Sequence, residues 1–254
     1  MTLTQQQIDE FHKNGYLKYG KILEDEEIEL LREQFDLEFE KARKNNSYRN
    51  LSIHDGSDVA IREVAPQRML QVTQMSERNI HFRRLVYNEE ILDIVEDLIG
   101  SNIQLFHDQA LYKPANDGGA VRWHQDNGYW KCRPANLVSC WLTLDDVDLS
   151  NGAMQVIPGS HLTPVWHEQS KQTNALLEFR DLDESKAVAV DLPAGGCMLH
   201  HCQTLHHTAP NTTDRQRRAF AIHCMPPGTR LDSGHQEDQS MAIGFERPLL
   251  RARM

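Results

Sequence analysis

The 254 residues carry 27 Lys+Arg against 37 Asp+Glu, a formal net charge of −10, with 25% charged and 39% hydrophobic residues. That balance is globular rather than disordered, and its sign argues against general binding to nucleic acid or anionic lipid. No apolar run is long enough to span a bilayer, and the opening MTLTQQQIDEF lacks the basic and apolar regions of a secretory signal. The five cysteines (Cys132, Cys140, Cys197, Cys202, Cys224) form no Cys-x-x-Cys pair and predict reduced thiols in a cytoplasmic protein.

Along the chain, Thr4 is placed to cap a short helix over 4–14, with Ile8 and Phe11 on one face and Gly15 as its stop. A second helix is predicted from Glu24 to Lys44, its apolar stripe formed by Ile28, Leu31, Phe35 and Phe39. The polar stretch Asn45–Asp58 is expected to be a loop. A third helix runs from the Asn88 cap to Ile99 and ends at Gly100. The texture then changes to short β-rich runs: Ile103–Tyr112, Leu137–Leu144, Ala153–Ile157, Ala187–Leu192, Cys197–His200 and Ala219–Met225. Turn clusters such as Asn151-Gly152 and Pro158-Gly159-Ser160 separate them. The pattern predicts a mainly β protein with flanking helices. Its core would be a double-stranded β-helix (jelly roll, cupin-like) over 101–230, with a helical N-terminal part over 1–100 and a C-terminal extension over 231–254, all in one domain.

Thirteen histidines include several that are bunched. In Trp123-His124-Gln125-Asp126, residues i and i+2 of a strand share a face, so His124 and Asp126 can both reach one ion. A His-x-Asp pair is common by chance and needs a third ligand. His200, His201, His206 and His207 follow the Gly195-Gly196 turn, and one of them would complete a two-His-one-carboxylate face, leaving the others to pack or hydrogen-bond at strand ends. Such a face keeps positions open on the metal, as non-haem Fe(II) requires. Arg217 lies eleven residues after His206, across the Pro210–Asp214 turn, so a hairpin would bring both into one cavity. Its planar fork suits a carboxylate. By alternation Arg217 shares a strand face with Ala219, and Arg218 shares the other with Phe220.

With these motifs the chain resembles the phytanoyl-CoA dioxygenase-like branch of the Fe(II)/2-oxoglutarate-dependent oxygenases. The likeness runs through Asn14-Gly15-Tyr16-Leu17, Tyr112-Lys113-Pro114, Trp123-His124-Gln125-Asp126, Arg133-Pro134, Trp141, Asn151-Gly152-Ala153, Ile157-Pro158-Gly159-Ser160-His161 and His206 through Asn211 to Arg217. The resemblance implies that His124, Asp126 and His206 hold Fe(II), while His201 matches a family histidine that is not a ligand. It implies that Arg217 binds the far carboxylate of 2-oxoglutarate beside Thr208, with Gln109 and Trp141 as further co-substrate contacts and O2 as the other co-substrate. The carboxylate of Asp126, which halogenating relatives lack, points to oxygenation.

The expected reaction is hydroxylation of an unactivated C–H bond of a small-molecule metabolite, coupled to decarboxylation of 2-oxoglutarate to succinate and CO2. Desaturase or cyclase chemistry on the same iron is the alternative. Outside the class, the rivals are a Zn-dependent cupin-like hydrolase or isomerase and a catalytically silent binding module. The family's range makes a natural product, an amino-acid derivative or an acyl thioester the expected kind of substrate. Asn127, Tyr129 and Trp130 follow the metal motif where the chain leaves its strand and are expected to line the cavity. Arg62, Gln67 and Arg68 precede the barrel and are expected over its entrance, placed to pair with an anionic group. The run Lys41, Arg43, Lys44, Arg49 reads either as a solvated helix end or as a site for a CoA phosphate.

Overall fold

The computed structural model describes residues 2–51, 68–116, 118–169, 176–231 and 247–253. The expected helices are present at Gln5–Asn14, Asp25–Lys44 and Glu89–Ile99. Thr4 closes a capping box with Gln7 at the first of these, and the Asn88 side chain caps the third. A helix without a sequence forecast, Ile80–Val86, is capped by Asn79 and buries Phe82, Leu85 and Val86. None of the described helices is long and apolar enough to cross a membrane.

Two facing sheets form the sandwich of a double-stranded β-helix. The larger has eight strands, in the order Tyr16–Lys21, Gly196–His201, Val138–Thr143, Arg217–Met225, Ile103–Lys113, Leu70–Thr73 and Arg49–Asn50, with Leu249–Arg251 also paired to Ile103–Lys113. The smaller orders Val188–Val190, Met154–Val156, His206–Thr208 and Val121–His124. The N-terminal hundred residues therefore supply strands as well as helices. Tyr16–Lys21 buries Leu17 and exposes Lys18, the alternation of an edge strand. The stretch expected to be a loop contributes Arg49–Asn50, which pairs with Leu70 and Gln71; the rest of it, from 52, lies outside the described residues.

Strand alternation gives the larger sheet two different faces. Outward, Cys140, Leu142, Phe220 and Ile222 join Phe35, Phe82, Ile91 and Val95 in the main hydrophobic core under the helices. Inward, Trp141, Met198, Ala219 and Ala221 pack against Met154, Val156 and Val190 of the smaller sheet or its rim. All five cysteines are buried free thiols.

One connection departs from expectation. His206 and Arg217 do not sit on one hairpin: His206–Thr208 pairs within the smaller sheet, and Arg217–Met225 pairs within the larger. The Pro210–Asp214 turn carries the chain across the sandwich, so the two side chains meet from opposite walls. A turn cluster between two β-runs has the same sequence signature whether the strands pair or change sheets.

Candidate metal centre

His124 ends the strand Val121–His124, and Asp126 opens a short helix, Asp126–Trp130. The expected strand stops earlier than Asp126, yet the pair still faces one point because Gln125 between them keeps extended backbone (φ −105, ψ 133). Gln125 is held in turn: its amide N–H donates to His167 Nε2 (2.8 Å), its Nε2 to the Thr163 carbonyl (3.0 Å), and its Oε1 accepts from Val165 N (3.1 Å). His206 stands directly opposite His124 in the strand register. The ligand atoms of His124, Asp126 and His206 all lie within 4.8 Å of one another, and all three residues are buried. Each imidazole Nε2 is 3.6 Å from Asp126 Oδ1.

Whether this cluster suits an ion is decided by its protons. His124 Nδ1 meets the Arg122 carbonyl at 2.7 Å, and His206 Nδ1 meets the Thr204 carbonyl at 2.9 Å. A carbonyl only accepts, so both Nδ1 atoms are protonated, and in the neutral rings that a metal requires the Nε2 atoms carry the lone pairs that face Asp126 Oδ1. Burial and the neighbouring His124 push His206 well below the usual imidazole range, which keeps it neutral. Burial would raise the Asp126 carboxyl, but the surrounding histidines, with His200 hydrogen-bonded to Oδ2, outweigh it and hold the group well below its ordinary value. Two imidazole nitrogens and one carboxylate oxygen, converging from buried residues, are the donor set of a facial two-His-one-carboxylate site. The other carboxylate oxygen, Oδ2, is taken by His200 Nε2 (3.1 Å) and Ser139 Oγ (3.3 Å).

The same cavity, about 470 Å³, is lined by Arg217, Thr208, Trp141 and Gln109. Arg217 is buried, with its guanidinium 5.7 Å from the Trp141 ring centroid. Nη1 donates to the Leu111 carbonyl (3.2 Å), while Nε has no hydrogen-bond partner. Burial lowers the group to about 10, leaving it protonated at neutral pH. No carboxylate among the described residues pairs with it. Thr208 Oγ1 is likewise buried without a partner. An orphaned cation and an orphaned hydroxyl in one cavity are costly unless an anionic ligand satisfies them.

The other expected residues divide. Tyr129 and Trp130 line the cavity; Tyr129 stands edge-on to His124, and its hydroxyl accepts from Leu177 N at 2.6 Å. Asn127 turns away to close the turn, its Oδ1 accepting from Cys132 N at 2.8 Å. Arg68 is exposed and does not line the cavity, while Arg62 and Gln67 lie outside the described residues. Arg49, which the sequence leaves between a solvated helix end and a CoA-phosphate site, lines the cavity, because its two-residue strand joins the sheet edge there. His200, one of the four histidines weighed as third ligand, instead holds Asp126 from behind together with Ser139, which has no sequence signal beyond being a polar residue in a β-run.

A jelly roll with this triad and a buried arginine defines the class of non-haem iron, 2-oxoglutarate-dependent oxygenases. The family model for phytanoyl-CoA dioxygenase (PhyH) matches residues 11–219, and the chain belongs to that family. A probable alpha-ketoglutarate-dependent hypophosphite dioxygenase of Stutzerimonas stutzeri is 30% identical over 145 residues, 54% of this chain and 50% of that one. The peroxisomal phytanoyl-CoA dioxygenase of Homo sapiens is 28% identical over 234 residues, 87% of this chain and 68% of that one. The chain thus spans about half to two-thirds of these relatives. Among solved structures, the epimerase SnoN in complex with Fe3+, alpha ketoglutarate and nogalamycin RO superposes with a TM-score of 0.75 at 22% identity, covering 97% of this chain and 98% of that one.

Proposed function

We propose that the protein is an Fe(II)/2-oxoglutarate-dependent dioxygenase that hydroxylates an unactivated C–H bond of a small molecule. The observation that carries this reading is the buried guanidinium of Arg217, paired with no carboxylate among the described residues, in the same cavity as three convergent metal donors. His124, Asp126 and His206 would hold the iron. When bound, iron with O2 and 2-oxoglutarate supplies the oxidising power that turns C–H into C–OH while the keto acid becomes succinate and CO2.

The chain's own contribution is order. Backbone carbonyls hold both imidazoles in the Nδ1–H tautomer, so the Nε2 lone pairs are aimed before any ion arrives. His200 and Ser139 engage Asp126 Oδ2, which favours one-oxygen ligation and keeps positions open for the co-substrates. Arg217 and Thr208 supply donors for the distal carboxylate, and Trp141 lays its ring beside the guanidinium to exclude water. The cavity volume lies in the ordinary range for small-molecule pockets. Five free thiols support a cytoplasmic location.

Adding Fe(II) and then 2-oxoglutarate without oxygen should produce a visible charge-transfer band, and oxygen with the right substrate should release succinate and a product heavier by one oxygen atom. Asp126→Ala should lose both. Oxygen-independent turnover supported by Zn2+ would overturn the reading.

A further inference from the structure

Behind the metal donors, the larger sheet carries a polar row on its inner face: His200 is opposite Ser139, Ser139 opposite His223, and His223 opposite His107. Part of this row lies on a continuous line of hydrogen bonds. Arg49 Nη1 donates to Gln71 Oε1 at 3.2 Å, and Gln71 Nε2 donates to Gln109 Oε1. Gln109 Nε2 then meets His223 Nε2 at 2.9 Å, His223 Nδ1 meets Ser139 Oγ at 2.7 Å, and Ser139 Oγ reaches Asp126 Oδ2 at 3.3 Å.

Chemistry sets the direction of this line at both ends. A guanidinium can only donate, and an ionised carboxylate can only accept. Because Arg49 donates to Gln71 Oε1, the Gln71 amide must turn its NH2 toward Gln109, and Gln109 must then offer its own NH2 to His223. His223 Nε2 is therefore an acceptor, and the ring's single proton sits on Nδ1, pointing at Ser139. Ser139, accepting the hydrogen bond from Nδ1–H, has its own hydroxyl hydrogen free for Asp126. All five bonds run one way, toward the carboxylate. Burial holds His223 down at about 4, so the ring is neutral and the tautomer is a real choice between two forms.

We propose that His223 is a positioning residue for Asp126: as the Nδ1–H tautomer it orders the Ser139 hydroxyl, which joins His200 on Oδ2 and so reserves Oδ1 for the metal. This rests on the reading of Asp126 as a metal ligand. The opposite tautomer would turn the Ser139 hydroxyl toward His223 and strip one donor from the carboxylate.

Nitrogen-15 NMR of the histidine rings in the metal-free protein tests the tautomer directly, and Co(II) titration of the unaltered protein, His223→Leu and His223→Asn tests its consequence. The expected results are a proton on His223 Nδ1 and Co(II) binding weakened roughly tenfold in His223→Leu, the lower end of the usual effect of residues that support a ligand. His223→Asn, whose side-chain NH2 can stand in for Nδ1–H, should recover most of that loss. A proton on Nε2, or equal Co(II) affinity in His223→Leu and the unaltered protein, would overturn the inference, and the NMR result stands even if the leucine variant fails to fold. If the unaltered protein binds no Co(II), the metal reading itself falls, and the inference with it.

Discussion

Arg217 and Arg218 are neighbours in one strand, and the two faces of the larger sheet treat them differently. On the helical side, Arg218 is tied to two carboxylates: Nη2 lies 2.8 Å from Asp36 and Nη1 2.8 Å from Asp145. On the cavity side, the partners of Arg217 among the described residues are the Leu111 carbonyl, the Met69 sulfur and the face of Trp141. Both are buried. Burying a cation is costly, so a paired one is explained by architecture and an unpaired one calls for a ligand. The same side chain, one residue apart, thus serves the fold on one face and the site on the other.

Exchanging each arginine for leucine gives the strongest test. Arg217→Leu should raise the KM for 2-oxoglutarate in a succinate assay by about 100-fold, the loss of two charge-assisted hydrogen bonds at roughly 1.5 kcal/mol each. Its unfolding free energy should hold or rise, because no carboxylate loses a partner. Arg218→Leu should do the reverse. It takes from Asp145, whose side chain is 14% exposed, one of two cations and leaves Arg32 Nε at 3.2 Å, at a cost of about 1 kcal/mol in urea unfolding. The share owed to Asp36 is small, since that carboxylate is half exposed. The KM for 2-oxoglutarate should not move. Two variants with the same phenotype would erase the distinction between the faces.

The cavity side also gathers imidazoles that burial keeps neutral, His107 down at about 3 and His223 at about 4. Their unfolded values lie near 6.5, so between 6.5 and 4 the unfolded chain binds more protons than the folded one. Stability should therefore be complete above about pH 6.5 and decline as the pH falls toward 4. Urea midpoints of the metal-free protein at pH 7.5 and pH 5 should show the drop; a flat profile would mean that these rings are solvated and the cavity is wetter than its packing indicates.

Features carried by adjacent residues were legible in the sequence. Three helices announced themselves through caps or apolar stripes, although Ile80–Val86 did not, and His124 and Asp126 stand two apart. Arg217 separated from Arg218 by simple alternation. What was illegible depends on which strands lie side by side. Ser139, His200 and His223 come from three segments, and only the register that sets them opposite one another turns an ordinary serine and two ordinary histidines into the support of Asp126. The change of sheets between His206 and Arg217 was misread as a hairpin for the same reason, because a Pro-Asn turn does not encode which partners its flanking strands will find. Asn127 went wrong more locally. Next to a metal ligand it was expected on the cavity, but a short helix after Asp126 swings its side chain back onto Cys132.

Thr208 offers the finest division between fold and site. Its carbonyl accepts from the buried Lys113 Nζ at 3.3 Å, a contact that braces the wall, while its hydroxyl has no partner among the described residues. Thr208→Val keeps the shape and the carbonyl and removes only the hydroxyl. If the hydroxyl belongs to the wall, the protein should lose stability and keep its co-substrate affinity. If it belongs to the site, stability should hold or rise slightly, because an unsatisfied buried group has gone, and the KM for 2-oxoglutarate should rise about three- to tenfold, the worth of one ordinary hydrogen bond. We expect the second result. No described residue uses that oxygen, and Thr208 lines the same cavity as the Arg217 guanidinium.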